Sequence, residues 1–167
     1  MTIGLERLLK HMAWANQETI KHVQGLPDEA LKSFATNPDW FVAEILHHIV
    51  DSGDHYAYRI SEKRALTIPG EPCIADIEKI SDLSRLAEQA AIVDAALLEC
   101  VKLEDKQMEF ENYEGKLVKR WRSTILSQAI HHATEHRAQL AAALEAKGFQ
   151  PVNLDDLDLW SYEISHS

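Results

Sequence analysis

A run without glycine or proline, SQAIHHATEHRAQLAAAL at positions 127–144, restricts the fold of this chain more than any other stretch. It is rich in alanine, leucine, glutamine and glutamate, which favour or tolerate helices. Its apolar residues recur at helical spacing, and His132 and His136 continue the same apolar stripe. The neighbouring His131 falls on a more polar face. The stretch therefore predicts a helix that carries two histidines on its buried side.

Two histidines four positions apart on one helix face can share a metal ion, because their imidazoles lie side by side. Burying both rings without partners costs free energy, since each has a donor and an acceptor to satisfy. A metal ion would meet this need for His132 and His136 together. The same spacing also arises by chance, so the alternative is a pair of core histidines with ordinary hydrogen-bond partners.

The rest of the sequence favours an all-α fold, because glycine (6) and proline (5) are scarce and apolar residues recur at helical spacing. The length suits a single domain over residues 1–167. We expect helices over about residues 3–23, 37–64, 81–103 and 123–147. The long proline-containing connection between the second and third helices is expected to cross the length of the bundle, so that these helices run parallel. Alternation around the Glu114-Gly115 turn predicts a short β-hairpin or an ordered loop before the fourth helix.

Two further features predict packing contacts. Gly53 lies inside the second helix at a cost of about 1 kcal/mol relative to alanine, which indicates a close helix approach or room for a ligand. The tail after Gly148 is too apolar for a free end. Its residues expected to pack on the helices are Leu154, Leu157, Trp160 and Tyr162.

A third histidine lies on the apolar face of the second helix. His48 follows the apolar positions there, whereas His47 aligns with the more polar face. His55, further along the same stripe, is the reserve candidate. Inward imidazoles from His48, His132 and His136 would leave a zinc ion with an open position, which is usual for catalytic zinc. Imidazole also suits nickel, iron and copper, so ligand type alone does not select the metal.

Composition argues against several classes of protein. The net charge of −10 and the lack of a basic stripe argue against nucleic-acid binding and against attachment to anionic membranes. The amphipathic, charged N-terminal segment differs from a signal peptide, and no apolar run reaches transmembrane length. Cys73 and Cys100 form neither a CxxC motif nor a disulfide framework, which favours the cytoplasm. Cys100 is expected in the core, and Cys73 in a loop without an assigned role.

Three segments carry a family resemblance: WAN at positions 14–16, ILHHIVDSGDHY at 45–56 and HHATEHRAQL at 131–140. They resemble the DinB/YfiT-like superfamily of metalloenzymes, named from damage-inducible genes. The third segment matches its His-x-x-x-His-Arg-x-Gln pattern and departs only mildly, by Ala138 where glycine is common. The resemblance implies an up-down-down-up four-helix bundle, frequent homodimers and a divalent metal, often zinc or nickel. The ligands that it implies are His48, His132 and His136.

The function expected from these features is a metal-dependent enzyme. Relatives include thiol-dependent S-transferases and metal-dependent hydrolases, and a metal ion activates a small thiol as readily as water. The substrate is therefore expected to be a small molecule, such as a low-molecular-weight thiol, with Asn16, Tyr56 and His55 lining the pocket. The alternative is a non-catalytic, stress-responsive metal-binding bundle, in which His55 or a carboxylate closes the coordination sphere.

The segment from His132 to His136 also fits the inverted zinc-protease pattern His-x-x-Glu-His. That mechanism needs Glu135 beside the metal as a base and an acidic third ligand further along the chain, yet only 31 residues follow His136. A solvent-facing position is simpler for Glu135. Arg137 is expected to be either solvated or an ion-pair partner.

Overall fold

The computed structural model describes residues 4–66, 74 and 76–166. Within these residues the chain forms five α-helices and one two-stranded antiparallel sheet. The helices are α1 (Leu5–Gln24), α2 (Val42–Ser61), α3 (Leu83–Cys100), α4 (Arg122–Ala146) and α5 (Leu159–Ser165), and the strands are β1 (Gln107–Glu111) and β2 (Leu117–Trp121). Apart from the start of α2, the ends of the four long helices differ from those expected by at most three residues.

The four long helices pack through a shared apolar core. α1 contacts α3 and α4, and α2 contacts the same two helices. Leu9, Ile45, Leu97 and Leu140 come one from each helix and are each no more than 1% exposed. Burial of such side chains, at about 1.5–3 kcal/mol each, is the main force that holds the helices together. The mostly helical fold is thus confirmed, while the up-down-down-up order stays a prediction.

The hairpin expected before the fourth helix is present, so the chain is not strictly all-α. β1 pairs with β2 from Gln107 opposite Trp121 to Glu111 opposite Leu117. Gly115 lies in the connecting turn with a φ of +73°, a conformation that costs glycine little. Phe110 of β1 packs against the helical core, which ties the hairpin to the helices.

The start of α2 differs from the prediction. The helix begins at Val42 and not near residue 37, because residues 37–40 form a turn instead. In that turn the side-chain oxygen of Asn37 accepts a hydrogen bond from the backbone N–H of Asp39, at 3.0 Å. The Trp40 N–H donates to the Asn37 carbonyl at 3.1 Å. Asparagine side chains readily accept a hydrogen bond from the backbone two residues on and so form such turns. Trp40 therefore lies outside the helix and is free to face α4.

Close contact between α2 and α3 explains Gly53. A Cβ atom at this position would lie 2.8 Å from Cγ1 of Val93, which is closer than real Cβ contacts allow. Of the two expectations for Gly53, close helix approach is the one confirmed. α2 ends at Ser61, short of residue 64, because Glu62 adopts a left-handed conformation with a φ of 60°.

The C-terminal tail packs less completely than expected. Leu157 is buried, but Leu154 is 40% exposed and Trp160 is 78% exposed, so the prediction was wrong for these two. The reason is that α5 is short and contacts α1 on one side only. Tyr162 lies on that side, with its ring centroid 5.5 Å from that of Trp14, whereas Trp160 is largely exposed to solvent.

Two remaining expectations concern the cysteines and the membrane. Cys100 is a free thiol buried in the core, as predicted. Cys73 lies outside the described residues. Among the helices that the structure describes, none has both the length and the apolar character needed to cross a bilayer.

Candidate metal centre

The three histidines predicted as ligands lie together between α2 and α4. Nε2 of His132 is 3.0 Å from Nε2 of His136 and 3.1 Å from Nε2 of His48. The ligand atoms of the three residues all lie within 4.8 Å of one another. His136 is buried and the other two are half-buried. Residues 84 positions apart in the chain therefore converge on one point.

Helix periodicity explains this convergence. His48 lies one turn from the buried Ile45, so its ring points towards the helices that cover that face. His132 and His136 lie one turn apart on α4, next to the buried Ala129. Because α2 and α4 pack against each other, the two histidine-bearing faces meet.

Gln139 determines which nitrogen of His136 carries hydrogen. Its side-chain Oε1 lies 2.7 Å from Nε1 of Trp40 and 2.9 Å from Nδ1 of His136. Because an indole N–H can only donate, the amide atom that faces it is the oxygen. Nδ1 of His136 must then donate its hydrogen to the same oxygen. Nε2 of His136 is left with its lone pair directed at the other two histidines, as a metal ligand requires.

The protonation of the cluster also suits a metal ion. Burial, together with the neighbouring His136 and His48, lowers the pKa of His132 to about 4, and burial lowers the pKa of His48 as well. Both rings are therefore neutral at neutral pH, the state in which imidazole binds metals. Nε2 of His136 has no hydrogen, so a hydrogen bond there requires Nε2 of His132 to donate. Nε2 of His132 could not then accept a hydrogen bond from Nε2 of His48. The two contacts therefore cannot both be ordinary hydrogen bonds. One cation would instead receive all three lone pairs.

The donor set fits a divalent ion. Zinc–nitrogen bonds of about 2.0–2.1 Å in a tetrahedral site separate neighbouring nitrogens by about 3.3 Å. Two of the three nitrogen separations, 3.0 and 3.1 Å, need only a small expansion to match, and the third, between His48 and His136, is no more than 4.8 Å. Among the residues that the structure describes, the cluster includes no fourth histidine, cysteine or acidic ligand. Imidazole nitrogens accept zinc, nickel, iron and copper, so the cluster does not select the metal.

Other predicted candidates lie outside the cluster. His55 is occupied elsewhere, since its Nδ1 is 2.9 Å from the Asp51 carbonyl oxygen and its Nε2 is 3.0 Å from Nη2 of Arg64. The reserve role for His55 was therefore wrong. His131 and Glu135 are exposed, as expected from their helix face. With Glu135 facing solvent, the base that the peptidase hypothesis needs is missing from the cluster.

Of the polar residues expected to line the site, Tyr56 borders the cluster and Asn16 does not. The Tyr56 ring centroid is 5.6 Å from that of His132. Asn16 instead joins a buried network, where its Nδ2 donates to both carboxylate oxygens of Asp94 at 3.2 and 3.3 Å. Nη1 of Arg137 donates to Oδ1 of Asn16 at 2.8 Å, and Arg137 is only 3% exposed. Of the two alternatives expected for Arg137, solvated or ion-paired, burial excludes the solvated one.

Sequence reasoning assigned no role to three residues that contact the cluster. Trp40 places its ring centroid 5.1 Å from that of His48 and 5.4 Å from that of His136. Ser52 places Oγ at 3.3 Å from Nε2 of His48, and Gln139 holds His136 as described above. Ser52 was detectable from its position one turn after His48. Trp40 was not, because the sequence predicted it within the second helix.

These features define a class, namely a mostly helical protein with a tri-histidine cluster between two packed helices. The sequence model of the DinB family matches residues 1–164. The chain therefore belongs to the DinB family, which confirms the resemblance carried by its three motifs. Comparison with curated proteins finds no match.

Replacing Gln139 with leucine is expected to weaken metal binding by about 10–100-fold, the usual effect of removing an outer partner of a metal-bound histidine. Leucine cannot accept the Nδ1 hydrogen of His136. The matched control is Gln139→Glu, which keeps an acceptor oxygen for both His136 and Trp40. Competition with a chromophoric zinc chelator measures the dissociation constants. Equal weakening in both variants would contradict the proposed tautomer control.

Proposed function

We propose that this chain is a metal-dependent enzyme that acts on a small molecule, with a divalent zinc or nickel ion held by His48, His132 and His136. The observation that carries the proposal is the convergence of three ligand nitrogens without a fourth protein ligand among the described residues. When bound there, the ion supplies Lewis-acid chemistry and lowers the pKa of a water or thiol that joins it.

The surrounding residues have defined tasks in this proposal. His48, His132 and His136 bind the ion, and Gln139 keeps the hydrogen of His136 on Nδ1. Trp40 packs its ring edge-on against two of the ligands and restricts water on that side of the cluster. Together these contacts orient the ligands before any ion arrives.

An open coordination site supports catalysis over a purely structural role. Structural zinc is normally closed by four protein ligands, whereas catalytic zinc has three and an open position. The described residues offer three, and His55, the residue expected to close the sphere, is engaged elsewhere. Hydrolysis and thiol transfer both use such a position, and a low-molecular-weight thiol is the substrate that we propose first.

The proposal extends to architecture and assembly. We infer a single-domain four-helix bundle of up-down-down-up order, which the mutual packing of α1 to α4 supports. A homodimer is supported by apolar side chains left open at the C-terminal segment, where Trp160 is 78% and Ile164 is 80% exposed. A cytoplasmic location and the absence of nucleic-acid partners stay predictions from composition.

Activity assays with zinc-loaded and nickel-loaded protein test the enzymatic proposal. The thiol-transfer assay combines mercaptohexanoate with an activated aryl chloride, and the hydrolysis assay uses an activated aryl ester. We expect at least one rate to exceed that of metal-loaded His132→Ala protein by about 100-fold or more, because that variant lacks one ligand. Rates equal in wild type and variant in both assays would contradict the enzymatic role and favour the non-catalytic bundle.

A further inference from the structure

The hydroxyl of Ser52 has an unusual partner for a serine within a helix. The other serines and threonines beyond the first turn of a described helix each donate to the carbonyl four residues earlier, which is the common arrangement. These residues are Thr19, Ser61, Ser127, Thr134 and Ser165. Ser52 instead turns its Oγ towards the cluster, 3.3 Å from Nε2 of His48. Its hydroxyl thus contacts a predicted ligand nitrogen and not the helix backbone.

Arg59 is a second unusual group on the same helix. Its guanidinium lies 4.8 Å from the ring centroid of Phe110 and 5.8 Å from that of Tyr56. Within the described part of the chain, no carboxylate lies within ion-pair distance of Arg59. This is notable in a chain with a net charge of −10, where acidic partners are abundant. Ring faces hold the guanidinium in place but leave its charge uncompensated.

Tyr56 connects these two groups. Its ring centroid lies 5.6 Å from that of His132 and 5.8 Å from the Arg59 guanidinium. Burial raises the pKa of the Tyr56 phenol, so it stays neutral at neutral pH. Residues three and four positions apart share a helix face, so Ser52, Tyr56 and Arg59 follow His48 along one face of α2. The face therefore runs from the cluster to the hairpin.

We infer that Ser52, Tyr56 and Arg59 form the substrate-binding face of the metal site, and that it receives a small thiol with a carboxylate at its far end. The inference rests on the proposed function, since it assumes that the cluster holds a metal ion. The Ser52 hydroxyl donates a hydrogen bond to the sulfur that approaches the cluster. The Tyr56 ring supports the apolar middle of the molecule, and Arg59 pairs with its carboxylate.

The test uses two thiols of equal length that differ only at the far end, mercaptohexanoate and mercaptohexanol. Wild-type protein is loaded with cobalt, and binding of each thiol is followed by the charge-transfer absorption of a thiolate on cobalt. We expect wild type to bind mercaptohexanoate about five- to tenfold more tightly than mercaptohexanol, because a partly exposed ion pair contributes about 1 kcal/mol.

Two variants separate the two contacts. Arg59→Gln is expected to bind both thiols equally, because it loses the partner for the carboxylate. Ser52→Ala is expected to weaken both thiols by about fivefold and to keep their ratio, because each loses one hydrogen bond at the sulfur. Arg120→Gln removes an exposed arginine on β2 and is expected to behave as wild type. All three variants should bind cobalt with unchanged affinity.

Each outcome decides between the inference and its alternatives. Equal binding of the two thiols by wild type, or a preference that survives in Arg59→Gln, would overturn the role of Arg59. A Ser52→Ala variant with unchanged thiol affinity would overturn the role of Ser52, and a large loss of cobalt affinity would make Ser52 a metal ligand instead. If wild type binds no cobalt, the proposed function fails first, and the inference fails with it.

Discussion

Replacing His132 with alanine is expected to lower metal affinity by more than about 100-fold, whereas replacing its neighbour His131 should leave it unchanged. The loss of metal affinity should exceed that caused by removing an outer hydrogen-bond partner such as Gln139, because His132 itself supplies a ligand nitrogen. Its Nε2 lies within 3.1 Å of the corresponding atoms of both other histidines, while His131 is exposed. Elemental analysis of untagged protein and competition with a zinc chelator measure the difference.

The same pair of variants provides a thermal test. Metal that binds the native state alone stabilises it by about 2.7 kcal/mol at a free concentration of 100 times the dissociation constant. Zinc should therefore raise the melting temperature of wild type and of His131→Ala, but not of His132→Ala or His48→Ala. Circular dichroism shows whether each variant keeps its helices. Equal metal content in His131→Ala and His132→Ala would refute the assigned site.

The second large effect concerns the buried network of Asn16, Asp94 and Arg137. Arg137→Ala is expected to lower the free energy of unfolding by about 3–5 kcal/mol, the range for removing one member of a buried charged network. Arg137 donates to Oδ1 of Asn16 and to Oγ1 of Thr134, and it is only 3% exposed. Its loss leaves Oδ1 of Asn16 unpaired in the core and removes the cation that favours ionised Asp94.

Urea unfolding at neutral pH measures the effect of Arg137→Ala. The control is Arg120→Ala, an exposed arginine on the hairpin whose removal should change the free energy of unfolding by less than about 0.5 kcal/mol. Arg137→Lys keeps the charge but not the geometry of both hydrogen bonds, so an intermediate loss is expected. A change in Arg137→Ala as small as that in the control would contradict a structural role for the network.

Asp94 adds a pH dependence to the same network. Burial raises its pKa to about 7, against the opposing effects of the Asn16 hydrogen bond and the Arg137 charge. The unfolded chain has an aspartate pKa of about 3.9, so between these values the native state binds more protons than the unfolded state. The contribution of Asp94 to stability is therefore complete at low pH and falls as the pH rises from about 4 to about 7. This slope should be absent in Asp94→Asn.

Helix periodicity accounts for most of what was predicted correctly. It selected His48 over His47 and His132 over His131, and the structure brings only the selected residues together. It also placed Glu135 in solvent. The period is reliable here because each helix must bury one face, and a side chain on that face has a fixed direction relative to its neighbours.

The errors arise where local pattern and tertiary contact disagree. Trp40 was assigned to the second helix, which was predicted from about residue 37, yet the turn after Asn37 frees the indole to reach Gln139 on α4. Arg137 was expected to be either solvated or an ion-pair partner, and the solvated alternative fails because Asn16 from α1 provides a partner in the core. In both cases the deciding partner lies about 100 residues or more away along the chain, at 99 and 121 positions respectively.

The sequence by itself determined the helices, the hairpin, the family and the three histidines that face inward, because these follow from local propensity, periodicity and motif spacing. Only the tertiary structure decided that the three imidazoles meet, that Gln139 directs the lone pair of His136, and that the Arg59 guanidinium packs against Phe110 of the hairpin. The reason is physical. A helix face fixes the direction of each side chain, but the distance between side chains on different helices depends on how those helices pack.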